Sequence, residues 1–403
     1  MTVLDHYNHF DGRHWETGTV ANFMAFRGMR APHTGKPYSE ALLLGVSGGA
    51  VMGYFSFAYA GYDPAARILT RNTFDPWTTM LSRLGVAQNV FHTAKPDAAV
   101  RNLTHALDEG TPAIVWADMW GLPYNALSFD AGMWAMFPIL VYGYDAADDT
   151  VNIADRARVG LRATTADLAA ARGRAKNNKH RLITLEAPDP AKLPSAVSAG
   201  IWDAIRLFTE TPPKGSKNNF GLADYRHWVE LLTRPKARLS WEREFPLGKN
   251  MLAGLTSAYT DIALFGKEPG NWADRALYAA FLDEAAVILD RPGLRESAER
   301  FRAAGAEWEA LAGMLLPDEV EPFRETRELM TRSHHAFLDR GNAARDEMVA
   351  NTERLAAVKD AVAADFPLSQ SQVEAHRARL AEQIMTIHDV EAAAVETMKA
   401  AMA

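Results

Sequence analysis

The first residues able to do chemistry stand near the start of the chain, in "LDHYNHFDGRHWETG". This stretch holds His6, His9 and His14 together with Asp5, Asp11 and Glu16. Three imidazoles are enough for zinc or non-haem iron, so a metal- or haem-dependent enzyme is one reading. The spacing matches no established ligand motif, and the other reading makes these groups surface residues or helix caps. Glu16 and Thr17 suit the positive end of a helix macrodipole.

Two further stretches carry candidate groups. "GVSGGAVMGYF" is a glycine-rich turn whose amides could cradle an anion, with Ser47 as a conceivable nucleophile. It lacks the lysine and spacing of a phosphate loop. Its other reading is a turn whose backbone path needs glycine. "DMWGLPYNALSFDAGMW" puts Asp118 at the end of a predicted strand, with Tyr124 and Asp130 in a loop bearing Trp120, Phe129 and Trp134. An acid and a phenol in an aromatic pocket suit proton transfer or binding of a basic or aromatic ligand. The alternative is a buried aspartate holding loop amides beside a core tyrosine. In the second half, His334 and His335 face different sides of a helix and with His388 read as solvated or interfacial.

These groups need elements to hold them. Residues 16–26 read as a helix stopped at Gly28, and 39–45 as a second helix with Ser39 at its N-cap. "PDAAVRNLTHALDEG" is amphipathic, with Val100, Leu103 and Leu107 on one stripe. The β-rich runs "PAIVWAD", "FPILVYGYD", "TVNIAD" and "HRLITLE" follow at hairpin-like spacing. Helices first and an antiparallel sheet after predict an α+β domain over 1–187. The proline-rich stretch "LEAPDPAKLPSAVSAG" then breaks regular structure. Beyond it, residues 196–403 read as a helical domain, with helices near 198–209, 222–233, 249–265, 271–290 and 294–315. Two long helices close it. The first covers about 319–363, with Phe323, Met330, Phe337, Ala344, Met348, Leu355 and Val362 on one stripe. The second starts near Ser369 and carries Leu380, Ile384, Ile387, Ala394 and Met398. The short turn "DFPLS" predicts that they pair antiparallel, their stripe packing within the domain or forming a homodimer.

A chain of 403 residues with a formal charge of -7 is expected to hold two or three domains. The charge argues against nonspecific binding to nucleic acid or an anionic membrane. No apolar run is long enough to span a bilayer, and no signal peptide is evident, so a cytoplasmic location is expected. The chain has no cysteine, which excludes disulfides, thiolate metal sites and cysteine nucleophiles. No cofactor is indicated.

"FDGRHWETGTVANFMAFRG", "YSEALLLGVSGGAVMGYF", "AIVWADMWGLPY" and "FPILVYGYDAADDTVNIADR" resemble, in that order, the N-terminal domain of butirosin biosynthesis protein H. "NWADRALYAAFLDEAAVIL" and "FRAAGAEWEALA" resemble the helical domain that usually follows it. The resemblance implies a papain-like (cysteine-peptidase-like) α+β fold. It also implies acyl transfer from an acyl carrier protein to an amine. A cysteine at the start of the first helix would be the nucleophile, a histidine on the strand ending in "GYD" the base, and an aspartate on the next strand its orienting partner. At those positions stand Trp15, Phe137 and Asp155; only the aspartate is kept. Asp118 and Tyr124 match the family's aspartate and "LPY", and His14 precedes the nucleophile position and is expected to line the pocket. A desolvated Asp155 beside Trp15 and Phe137 would have a raised pKa and serve as general acid or base; pairing with Arg156 or Arg158 is the alternative.

The leading expectation is a secondary-metabolism enzyme on this scaffold working without covalent catalysis. It would use acid/base chemistry for cyclisation, condensation, hydrolysis or rearrangement of a small-molecule or carrier-bound intermediate. Asp118, Tyr124 and Asp155 would be its catalytic groups, with His14, Trp15, Glu16, Ser47, Asp130, Trp134 and Phe137 around the substrate. A catalytically inactive binding or scaffold homologue is the second reading.

Overall fold

Runs of β-branched and small apolar residues between 113 and 185 build the sheet, because such side chains pack well on a pleated surface. The computed structural model describes residues 2–128, 130–210 and 218–403. Its strands are β1 (Thr2–Val3), β2 (Ala50–Phe57), β3 (Ala65–Arg71), β4 (Gln88–Phe91), β5 (Ala113–Asp118), β6 (Met136–Asp145), β7 (Thr150–Ala154), β8 (Leu161–Ala163) and β9 (Leu182–Leu185). The main sheet runs β4-β9-β5-β6-β7-β8, with β1 added on β6, and every pairing is antiparallel. β2 and β3 form a separate hairpin.

The helices of the first half are α1 (Trp15–Phe26), α2 (Glu40–Val46), α3 (Pro76–Arg83), α4 (Pro96–Asp108) and α5 (Thr165–Gly173). After them come α6 (Leu193–Thr209), α7 (Gly221–Thr233), α8 (Trp241–Glu244), α9 (Lys249–Tyr259), α10 (Arg275–Ile288) and α11 (Leu294–Leu315). The last three are α12 (Glu321–Arg340), α13 (Arg345–Ala364) and α14 (Gln370–Met402). Local chemistry accounts for several ends. Pro96 opens α4, where its missing N–H costs nothing. Ser39 Oγ accepts from the Leu42 amide, and Thr164 and Ser369 head full capping boxes.

The chain forms two compact units, each from three segments. Unit 1 contains the residues up to Leu43, Leu81–Lys192 and Arg332–Thr352; unit 2 contains Leu44–Met80, Leu193–Thr331 and Glu353–Ala403. Unit 1 is the main sheet with its helices. Its core joins Leu103 and Leu107 of α4, Val115 of β5, Ile139 and Val141 of β6, and Phe337 and Leu338 of α12. Unit 2 is helical apart from the β2–β3 hairpin.

The long helix expected over 319–363 is broken. α12 ends at Arg340, a 3-10 turn covers Gly341–Ala344, and α13 starts afresh. Gly341 has φ +51°, and a Cβ there would lie 2.5 Å from Leu161. Only glycine allows that close approach. The antiparallel partner of α14 is α11 rather than the expected helix. Ser297 Oγ donates to the Ala394 carbonyl at 2.9 Å, and Gln383 Nε2 to the Glu307 carbonyl at 3.0 Å. Leu380, Ile384, Ile387, Ala394 and Met398 are thereby buried inside unit 2. Of the two uses expected for this stripe, the structure shows packing within the chain.

Candidate functional site

The site is built at the start of α1. The His14 side chain at its N-cap position makes no capping hydrogen bond; the Glu40 carboxylate, from the first turn of α2, caps the helix start instead. Its Oε2 accepts from the Arg13 amide at 2.7 Å, and its Oε1 from the His14 amide and the Thr17 hydroxyl, both at 2.9 Å. Asn22 Oδ1 accepts from the Gly12 amide at 3.0 Å. The chain before α1 lies backbone against backbone on its first turn: a Cβ on Gly12 would meet the Gly18 carbonyl oxygen at 2.3 Å. The positive helix end therefore faces a fixed internal anion. Sequence reasoning missed Glu40 and Asn22. The one available signal was an acid next to the Ser39 cap in "SEALLLG", which reads locally as an ordinary helix start.

Trp15, the first residue of α1, is buried, and its ring stacks on Phe137 of β6 with centroids 4.0 Å apart and planes at 13°. The Arg156 guanidinium lies 4.4 Å from the Trp15 ring and 4.7 Å from the Phe337 ring. Arg156 Nε donates to Asp155 Oδ1 at 3.3 Å, and Nη2 to Asn125 Oδ1 at 2.6 Å. The Tyr124 hydroxyl donates to Asp155 Oδ2 at 3.2 Å. Burial, followed by the Asp155 charge, holds the Tyr124 phenol well above its usual range. It remains a proton donor to Asp155 rather than a base. The structure thus brings Trp15, Phe137, Tyr124 and Asp155 together, with Arg156 as the connecting cation. Of the two expected partners of Asp155, Arg156 takes the role; Arg158 pairs with Asp339.

Asp118 belongs to a different place, an open cleft of ≈ 520 Å³. Trp120, Pro123 and Leu127 line it together with Asp167, Arg174 and Arg345. Asp118 ends β5 as expected. Its Oδ1 accepts from the Ala135 amide at 2.9 Å, while its Oδ2 accepts no hydrogen bond and stands 3.6 Å from Arg174 Nε. Arg174 Nη2 donates to the carbonyls of Asp130 and Ala131, tying down the loop at the cleft's edge. Asp130 caps that loop, accepting from the Gly132 and Met133 amides. Trp134 is 54% exposed and does not line the cleft. Phe129 lies outside the described residues.

The remaining candidates are placed as follows. Ser47 is in unit 2, and its hydroxyl donates to the Leu44 carbonyl at 2.7 Å. The Gly48 and Gly49 amides bond the Gly45 and Leu44 carbonyls at the end of α2, so they cradle no anion. Asp145 starts its turn by accepting from the Ala147 and Asp148 amides. Glu16 is half-buried in the first turn of α1. His14 is buried, His6 exposed, and His9 lies edge-on to Tyr7. Tyr7 itself stacks on Tyr142, and β1 pairs with β6, so the opening segment is fastened to the sheet. Among the described residues no group of three or more His, Asp or Glu side chains is arranged to hold a metal ion. Among them, too, no helix is long and apolar enough to cross a membrane.

Comparison with known proteins agrees with this architecture. Residues 14–156 match the family model "Butirosin biosynthesis protein H, N-terminal", and residues 274–339 match a domain of unknown function, DUF4872. No curated protein matches the chain. The chain thus carries a butirosin biosynthesis protein H N-terminal domain, with a papain-like α+β fold, followed by a DUF4872 domain, an order consistent with that family.

Proposed function

We propose that this protein binds an intermediate of secondary metabolism, small or carrier-bound, without forming an acyl-enzyme. The observation that carries this reading is the Trp15–Phe137 stack at 4.0 Å, at the positions the family resemblance gives to nucleophile and base. Neither side chain can attack a carbonyl or move a proton. The neighbouring polar groups are engaged as well: Asp155 with Arg156 and Tyr124, and the start of α1 with Glu40. Ligand contact falls to the Asp118 cleft, which has the size and the mixed apolar and charged lining of a small-molecule site.

A second reading, an enzyme using Asp118 as general acid or base, is favoured by one fact: Asp118 is among the residues lining that cleft, and its buried Oδ2 accepts no hydrogen bond. Two experiments test these readings. Intact-mass analysis after incubation with acyl-pantetheine thioesters should show no mass gain; an acyl adduct would sink the noncovalent reading. Pathway intermediates should bind wild-type protein, and Asp118→Asn should weaken that binding roughly tenfold or more. Turnover that disappears in Asp118→Asn would establish the second reading over the first.

A further inference from the structure

The side chain of Arg156 is held in the manner of a bound ligand. An arginine offers five N–H donors in a planar fork. Among the described residues, this one uses two, to the Asp155 carboxylate and the Asn125 amide oxygen. Its remaining attachment is through faces: the Trp15 ring at 4.4 Å and the Phe337 ring at 4.7 Å. In-plane acceptors combined with aromatic faces select a flat, delocalised cation over a compact ammonium.

Each wall of this enclosure is also braced by a second residue, Asn125 by donating its Nδ2 to the Met119 carbonyl at 3.0 Å. Phe137 stacks on Trp15, the Tyr124 hydroxyl holds Asp155, and Tyr124 stacks on Phe337 with centroids 6.3 Å apart. Walls fixed independently of the occupant are what a receptor needs, because little order must then be created on binding. The Arg156 side chain is 12% exposed, so the enclosure opens to solvent at its edge.

We propose that Trp15, Phe337, Asp155 and Asn125 form a receptor for a planar guanidinium group, and that the Arg156 side chain is its resident occupant. The ligand class is a small molecule ending in an unsubstituted or monoalkyl guanidinium. The inference rests on the noncovalent reading above, since a cage of this kind leaves no room for a thiol nucleophile. In the wild-type protein the tethered side chain outcompetes a free ligand, because tethering gives it a high effective concentration.

The test removes the occupant. Arg156→Ala is melted with increasing methylguanidinium chloride in the low millimolar range, against matched methylammonium chloride and sodium chloride. The expected result is a saturable rise of several degrees with methylguanidinium, roughly tenfold weaker for methylammonium, and absent in wild type. Trp15→Leu in the Arg156→Ala background should abolish the rise. If Arg156→Ala does not fold, Arg156→Ser, which keeps a small hydrogen-bonding group beside Asp155, is titrated in the same way. The proposal is overturned if neither variant shows a saturable response, or if both cations act equally. The two ideas fail separately: an acyl adduct on wild type sinks the functional reading whatever this titration shows, whereas an unresponsive variant sinks the cage alone.

Discussion

Each unit holds an arginine among aromatic rings, and the two are bound differently. Arg275, in unit 2, has all five donors engaged. Nε and Nη2 bond the two oxygens of Glu391 at 2.6 and 3.1 Å, Nη1 the Thr70 and Ala273 carbonyls, and Nη2 also the Val51 carbonyl. Trp308 and Tyr225 complete the Glu391 carboxylate with donations at 2.8 and 2.6 Å. Arg156, in unit 1, is held by two hydrogen bonds and two ring faces. A complete set of partners marks a cation built into the fold, because any change leaves a buried group unsatisfied. A partial set within an aromatic enclosure marks one whose head another cation can replace.

The sharpest way to break this contrast is to remove the carboxylate of unit 2. Glu391→Ala should cost about 3–5 kcal/mol in urea unfolding, because Arg275 is left charged and wholly buried. A loss under ~1 kcal/mol would show that the pair is replaceable and remove the distinction. Next in size is Trp15→Ala, expected to cost about 3 kcal/mol through the lost stack and the cavity it leaves. Arg156→Met should cost only ~1–2 kcal/mol, clearly less than Arg275→Met; equal losses would overturn the comparison.

Unit 2 also buries a cation of a third kind. Lys267 Nζ donates to Thr70 Oγ1 and to the Asp261 carbonyl, with Asp274 Oδ2 at 3.7 Å. Burial lowers its pKa to about 8, the nearby Asp274 and Asp261 charges opposing the shift. The folded value thus lies below the unfolded one, near 10.5, so the unfolded chain binds more protons between those pH values. Stability should therefore rise with pH across that window. Relative to Lys267→Met, wild type should gain about 1–2 kcal/mol between pH 7.5 and 9.5, measured by urea titration at each pH. A parallel pH dependence in both proteins would mean that Lys267 keeps its proton when folded. The smallest effect is expected at the cleft. Asp118→Asn keeps an oxygen for the Ala135 amide, so its melting temperature should stay within a few degrees of wild type while ligand binding falls.

The strands β5, β6, β7 and β9 and the helices α1, α4 and α11 were legible because each is a local pattern with local stops. The destination of each apolar stripe was not. Periodicity shows that Phe323 and Phe337 are buried, but not that Phe337 enters the sheet core of unit 1 while Phe323 packs near Phe366 in unit 2. The loss of the cysteine nucleophile that the family resemblance implies was readable, because the chain has no cysteine. What replaced it was only half readable: Arg156 stood as a possible partner of Asp155, but its rings come from α1 and α12, far apart in the chain. Glu40 was invisible for the same reason, since its cap joins α2 to α1. The expected continuous helix over 319–363 failed at Gly341, whose small size and positive φ matter only against Leu161 and Val159, far away in the sequence.

The three-segment composition of each unit also governs the order of folding. Unit 1 draws its last segment, Arg332–Thr352, from late in the chain, and with it Phe337 and Leu338 of its core. During synthesis, its sheet strands leave the ribosome long before the helix that seals them. Until that helix emerges, the face of the sheet that it covers stays exposed to aggregation or to a chaperone. Residues 353–403 then belong to unit 2 alone, so neither unit has all of its segments until after Arg332–Thr352 has been made.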